Sequence, residues 1–249
     1  PGNGGFAGAI APAGLATALR AGYAAAVTDT GHEGGSGAFM LDHPEWLTDF
    51  ADRAIHEVAV NGKALATAFY GNGPKFSYFN GCSTGGRQAL TAAQRFPEDF
   101  DGIVAGAPAI YASRQSAGQI WIWQATHKDA ASYLTPPKLA VLHDAAVAQC
   151  DALDGVKDGV LEDPTRCKFD PKVVECKGGP TGGQADGPNC LTTPQVEAAR
   201  KIYAGAKNAR GGQVFSGLMP GSELGWAASA GAVPVGYAAD VYKYVVFRD

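Results

Sequence analysis

"FNGCSTGGRQAL", residues 79–90, reads as the end of an apolar strand, a serine set among small residues, and the first turns of a helix. Within it Gly81-Cys82-Ser83-Thr84-Gly85 fits the pattern G-x-S-x-G, in which the serine occupies a sharp, strained strand-to-helix turn. Small residues two before and two after the serine let strand and helix approach closely while the hydroxyl stands clear of the sheet. The new helix's N-terminus also aims backbone N–H groups at the hydroxyl, where they can hold an oxyanion. Ser83 is therefore the candidate nucleophile and the Thr84 N–H one oxyanion donor. The plainer alternative is a Gly-rich turn whose serine merely caps the helix.

A second oxyanion donor is expected from an earlier loop between a strand and a helix. "PGNGGFAGA", residues 1–9, suits this, being Gly-rich and followed by a helix-like segment at Leu15–Leu19. Gly5 is the first choice and Gly4 the next; a flexible terminus is the alternative.

The surroundings alternate strand and helix patterns. "KFSYFN" (75–80) is a compact strand, "RQALTAAQRF" (87–96) a helix stopped by Pro97, and "DGIVAGAPA" (101–109) the next strand. Upstream, Ala24–Thr28 reads as a small-residue strand running into the Gly/His turn of "DTGHEG". Residues 45–71 hold Leu47, Phe50, Ala54 and Val58 at helical spacing and end at Gly71. This rhythm predicts an α/β class fold with a parallel sheet and helices on its faces over residues 1–108. From residue 109 the character changes to aromatic and acidic stretches, a Gly/Pro-rich tract at 177–189, and a helix restarted by Thr193 as N-cap with Pro194 next. Residues 109–249 are expected to form an inserted or lid domain.

Composition narrows the partners. The chain has 249 residues, 46% hydrophobic and 18% charged, a globular balance. With a formal net charge of −4 and no Lys/Arg stripe, nucleic acid and anionic membrane surfaces are poor partners. No apolar run reaches the roughly 18–20 residues of a membrane span. The ends, "PGNGGFAG" and "YKYVVFRD", read as those of a fragment cut on both sides, so a missing leader says nothing about compartment.

Of the five cysteines, Cys150, Cys167, Cys176 and Cys190 crowd one polar region while Cys82 stands alone. Zinc is the competitor, but no pair has C-x₂₋₄-C spacing and no histidine lies among the four. Two local disulfides, Cys150–Cys167 and Cys176–Cys190, are the better reading and imply an oxidising compartment, secreted or periplasmic. Between the first pair runs "CDALDGVKDGVLEDPTRC", residues 150–167. Asp151, Asp154 and Asp158, with tight turns at Gly155 and Gly159, offer the oxygen-rich loop a hard cation needs. The spacing is not that of an EF-hand, and a solvated acidic turn is the alternative.

"FNGCSTGGRQAL" followed by "RFPEDFDGIVAGAPA" (95–109) closely resembles the tannase and feruloyl esterase family. The resemblance extends from "GNGGFAG" through "VTDTGH" to "PGSELGW" and "YVVFRD". It implies a partial α/β-hydrolase core with an inserted lid, and a serine esterase acting through an acyl-enzyme on a small aromatic ester such as a feruloyl or galloyl ester. It also implies a structural Ca²⁺ held by the side chains of Asp151, Asp154 and Asp158 and the carbonyls of Val156 and Val160. The Cys150–Cys167 bond would close that loop of about eighteen residues, a constraint of ~3 kcal/mol in chain-entropy terms. Cys82 would be half of a disulfide whose partner follows the catalytic histidine, outside this chain.

One departure matters. The family's catalytic Asp and His-Cys pair come late, yet only His127 and His143 follow Ser83 and neither precedes a cysteine. Each is expected to be a surface or satisfied core histidine, and His32 to be structural or to line the site. The triad is thus expected to be incomplete, and the chain alone inactive and poorly stable, with Cys82 a free thiol. An aromatic lid would suit an aryl ester, with Trp226 the first candidate for substrate contact and Trp121 and Trp123 behind it; a core role is the default for each. A peptidase shares the elbow, and a calcium-stabilised binding domain with a relic elbow would explain the missing histidine.

Overall fold

A computed structural model describes residues 2–178 and 186–249; residues 179–185 of the Gly/Pro-rich tract lie outside the described set. The chain divides into two compact units, Pro1–Ala112 with Asp240–Asp249, and Ser113–Ala239. The sequence reading placed this division at 108/109 and carried the second domain to the last residue. Residues 240–249 instead belong with the first unit, where Asp240 Oδ2 accepts from the Gly37 N–H at 2.7 Å and the Ser36 hydroxyl at 2.9 Å.

The first unit holds α1 (Pro12–Arg20), α2 (Pro44–Thr48), α3 (Ala54–Tyr70), β1 (Tyr78–Cys82), α4 (Thr84–Arg95) and β2 (Gly102–Gly106). β1 and β2 pair in parallel, from Tyr78 opposite Gly102 to Cys82 opposite Gly106, and α4 is the crossover between them. Residues 85, 88, 89 and 92 of α4 are all buried, the i, i+3, i+4, i+7 stripe of a helix lying on a sheet. Ala89 and Ala92 pack with Ile55 of α3 and Phe79 of β1, flanked by Phe100, Ile103 and Ala105. Gly86 permits that approach, since a Cβ there would overlap the Gly106 carbonyl.

Three local expectations shift. The strand expected at 75–80 begins at Tyr78, because Ser77 and Asp101 first clasp each other: the Ser77 N–H donates to Asp101 Oδ2 and the Asp101 N–H to the Ser77 carbonyl. Ala24–Thr28 forms no ladder; a strand exists only where a neighbour takes its backbone groups, and the described sheet has two strands. The single helix expected at 45–71 is α2 and α3 joined by a widened π-type turn at Asp49–Arg53, across which Arg53 bonds both Asp49 and Glu45 at 2.6 Å.

The second unit is built on α5 (Ala112–His127), α6 (Pro136–Cys150) and α7 (Thr193–Ala204). Its core joins Ile122, Leu139, Leu142, Leu191, Val196, Ile202 and Trp226. The cap of α7 is Thr192, one residue before the expected Thr193. The Thr192 N–H donates to Gln195 Oε1 at 3.0 Å, while the Thr193 hydroxyl is drawn to Glu175 at 2.6 Å. Both predicted disulfides are present, Cys150–Cys167 with Cα atoms 5.5 Å apart and Cys176–Cys190 at 4.9 Å; Cys82 is free and exposed. Among the described residues no helix is long and apolar enough to cross a membrane.

Two charged groups are buried with full complements of partners. Lys138 Nζ donates to Asp186 Oδ1, the Gly187 carbonyl and the Cys190 carbonyl at 2.5–2.6 Å. Glu223, fully buried, accepts from the Tyr203 hydroxyl at 2.6 Å and the Gly221 N–H at 2.9 Å, with His143 Nδ1 at 3.3 Å. Burial, reinforced by the Glu223 bond, pushes the Tyr203 phenol well above its usual range.

Tyr203→Phe leaves a buried carboxylate short of a donor and should cost about 1–3 kcal/mol in urea unfolding of the second unit. Because the folded phenol is raised, its contribution is complete below the unfolded value of about 10 and is lost as pH climbs beyond it. The wild-type chain should therefore lose stability above that pH more steeply than Tyr203→Phe. A thiol reagent applied to the folded chain should titrate a single cysteine, Cys82; two or more would contradict the disulfide pairing.

Candidate active site

Ser83 sits between the last residue of β1 and the first of α4 with φ 60° and ψ −118°, a strained conformation for a residue carrying a Cβ. Such strain costs on the order of 1–3 kcal/mol and persists only where surroundings over-determine it. Here they do. The Ser83 N–H donates to the Gly106 carbonyl at 3.0 Å, and the Ser83 carbonyl accepts from Arg87 and Ala109, each at 3.0 Å. Gly81 completes the turn, since a Cβ there would overlap the Gly85 carbonyl. The serine itself is exposed.

The N-terminal loop docks directly onto this turn. The Gly2 N–H donates to the Asn80 carbonyl at 3.1 Å and the Gly85 N–H to the Asn3 carbonyl at 2.8 Å. The Thr84 hydroxyl donates to the Gly5 carbonyl at 3.0 Å. Gly5 is thus brought beside the turn, and among the described residues neither its N–H nor that of Thr84 donates to a protein acceptor. Gly4 lies one residue further on the same loop, exposed, its carbonyl taken by the Ala7 N–H at 2.9 Å.

Residues that the sequence reading did not name hold this loop. The Asn3 N–H donates to Gln88 Oε1 at 3.1 Å, and Gln88 Nε2 donates to Asn3 Oδ1 at 3.3 Å. His32 packs beside the loop: its ring stacks on Phe39 with centroids 3.6 Å apart, and Nε2 faces the Phe6 carbonyl at 2.7 Å. That carbonyl only accepts, so Nε2 carries the proton. The available signal for Gln88 was a polar residue in the apolar stripe of α4; for Asn3 there was none.

Each of the five histidines has partners of its own. Besides His32, His43 stacks on Trp46, His56 pairs with Asp99 at 2.8 Å, His127 bonds Thr126 and the Trp123 carbonyl, and His143 faces Glu223. Trp226, the first candidate for substrate contact, takes its default core role instead: at 1% exposure it is set edge-on to Tyr203 at 4.9 Å with its Nε1 donating to Ser222 Oγ. A flat indole with an internal acceptor is better buried than presented to solvent. Trp121 and Trp123 are half-buried; Trp121 Nε1 donates to the Lys201 carbonyl at 2.9 Å, and Trp123 stacks on His127 at 4.6 Å.

The acidic loop is wound by Gly155 (φ 95°) and Gly159 (φ 82°). Its carboxylates cap backbone amides: Asp151 accepts from Gly159, Asp154 from Val156 and Asp158 from Val160, at 2.9–3.1 Å. Val156 and Val160 are exposed. The donors are all oxygen, as a hard cation requires, but among the described residues no three acidic, His or Cys side chains converge on one point. Each cap occupies one lone pair of an Oδ1, so the capped carboxylates keep oxygen lone pairs that a cation could use.

Comparison with known proteins gives the family. Residues 1–238 match the family model described as tannase and feruloyl esterase. Over its whole length the chain is 39% identical to a probable feruloyl esterase B of Aspergillus clavatus, covering 47% of that protein. It is 41% identical over 240 residues to an uncharacterized esterase of Xanthomonas campestris, 93% of this chain and 41% of that one. Among solved structures, feruloyl esterase B from Aspergillus oryzae superposes on all of the chain and 50% of its own, with a TM-score of 0.89 and 36% identity. Tannin acyl hydrolase from Aspergillus niger does so over 88% of this chain and 42% of its own, at 0.72 and 28%. The chain spans about half the length of the curated relatives it matches. With a family model matched along nearly its whole length, the chain belongs to the tannase and feruloyl esterase family.

Proposed function

We propose that the chain carries the nucleophile and oxyanion-binding part of a serine carboxylic-ester hydrolase for aromatic esters of the feruloyl or galloyl kind. The observation that supports it most is the strained, exposed turn at Ser83, with the Thr84 N–H next in the chain and the Gly5 N–H on the loop docked to that turn, neither donating to a protein acceptor among the described residues. The architecture proposed is a partial α/β-hydrolase core formed by residues 1–112 and 240–249, with residues 113–239 as the inserted lid. Ser83 Oγ attacks the ester carbonyl; the developing oxyanion is received by the N–H groups of Thr84 and Gly5; the alcohol leaves, and water releases the acid from the acyl-enzyme. The general base is assigned, by the family resemblance, to a histidine followed by a cysteine, which none of the five histidines here is. The 249-residue chain alone is accordingly expected to be inactive. The aromatic acid class rests on the family and its feruloyl esterase relatives rather than on Trp226, which is buried. Two disulfides favour a secreted or periplasmic setting.

Within the same reading, the acidic loop takes Ca²⁺ through Asp151, Asp154 and Asp158 with the Val156 and Val160 carbonyls. The ion would order the second unit and take no part in ester chemistry. The rival reading is a non-catalytic binding domain with a relic elbow, which would account for the lack, among the described residues of the first unit, of a histidine bonded to Ser83.

Ser83→Ala, in a polypeptide that also supplies the base, should lower kcat/KM for methyl ferulate or methyl gallate by at least about a thousandfold. Retained turnover would sink the esterase assignment, and a parent with no turnover at all would favour the binding domain. Millimolar calcium should raise the thermal midpoint of the 249-residue chain, and Asp154→Asn with Asp158→Asn should abolish that rise. A midpoint indifferent to calcium leaves the loop as a set of amide caps.

A further inference from the structure

We infer that Gln88 and Asn3 form an amide lock that positions the oxyanion loop, and that Gln88 is a positioning residue for the reaction rather than a packing residue. This rests on the reading of Ser83 as nucleophile. Gln88 is 1% exposed and Asn3 9%. In the buried stripe of α4 an apolar side chain would be the default, and an amide there costs desolvation unless all its bonds are made.

The orientation of both amides follows from their neighbours. Asn3 Nδ2 donates to the Ala7 carbonyl at 3.1 Å and the Thr28 carbonyl at 3.3 Å. Those acceptors require the nitrogen on that side, which turns Asn3 Oδ1 toward α4. Gln88 Nε2 then meets Oδ1, and Gln88 Oε1 is left to accept the Asn3 N–H. Each assignment forces the next, and none can be flipped without setting like against like.

The lock lies between the reacting serine and the loop that receives the oxyanion. Gln88 is one turn along α4 from Thr84, whose hydroxyl holds the Gly5 carbonyl. Asn3 is two residues before Gly5, and its carbonyl accepts from the Gly85 N–H. Helix and loop therefore meet at Asn3–Gly85, Asn3–Gln88 and Gly5–Thr84. The lock contributes two of the hydrogen bonds there and is placed to set where the Gly5 N–H points relative to the Thr84 N–H.

Gln88→Met keeps length and volume but neither bond; Asn3→Asp keeps the acceptor toward Gln88 but sets a carboxylate oxygen against the Ala7 and Thr28 carbonyls. In the 249-residue chain, hydrogen exchange at the amides of Asn3, Ala7 and Gly8 should quicken at least tenfold in either variant, with α3 unchanged. In the ester-hydrolysing form, kcat should fall roughly tenfold to hundredfold, as expected for a misplaced catalytic group, with KM within about twofold. The double variant should be no worse than the poorer single one, since both break one device. Unchanged exchange in residues 2–8, exchange quickened throughout the first unit, or unaltered kcat would each overturn the lock. Ser83→Ala, assayed alongside, separates the two ideas. If it retains turnover the esterase reading fails by itself, and the exchange result still decides whether the lock exists.

Discussion

The close approach of α4 to the two strands beneath it is the constraint on which the rest of the first unit depends. A helix that begins one residue after its strand ends can reverse direction only through an unusual backbone conformation, and Ser83 takes it. Gly81 and Gly86 remove the side chains that would hold the layers apart. Once the layers touch, Ala89 and Ala92 are the right size to fill the space above Phe79. Strain at one residue is thereby offset by apolar burial spread along the helix. The exposure of the Ser83 side chain is a consequence of the same geometry: the turn leaves it no interior to enter.

What could be read from the chain beforehand was what is local. The elbow is five residues long and its demands are steric, so glycine spacing shows them. Cys150–Cys167 and Cys176–Cys190 are close in sequence, and short loops in a polar region leave few other pairings. The failures share a cause in distance. The Asn3–Gln88 bonds join residues 85 apart, and those of Asp240 with Ser36 and Gly37 join residues 204 and 203 apart. No periodicity or motif encodes either. Ala24–Thr28 has strand composition, but pairing is a property of two segments and cannot be seen in one. An aromatic lid makes Trp226 a candidate for substrate contact with a core role as the default, and Tyr203 and Ser222 supply the contacts that give it the core role.

The second unit meets a different problem. It has long stretches with little regular structure, so backbone and side-chain polar groups must be satisfied individually. Lys138 uses all three of its N–H donors within one short segment, 186–190, and thereby ties α6 to the Cys176–Cys190 loop. Glu223 does the same for the turn that leads to Trp226, collecting donors from α7 and its own loop. Buried charges so fully paired are expensive to disturb. With the disulfides they supply order that a larger helical or sheet core would otherwise provide.

Thr84 shows why the variable positions of a short motif are not free. Its hydroxyl is committed to the Gly5 carbonyl, so the side chain fixes the neighbouring loop, while its backbone N–H has no acceptor among the described residues. On the proposed reading the two halves of one residue divide the work: the side chain sets the position of the second oxyanion donor, and the main chain is the first. A serine at this position could reproduce the bond but lacks the β-branch that restricts the threonine rotamer. A valine could reproduce the shape but would leave the Gly5 carbonyl without its donor. Threonine supplies both, and it does so at 1% exposure, where water cannot replace the lost partner. The loop and the elbow are therefore one structure, and the residue between the serine and the second glycine of the motif is where they are joined.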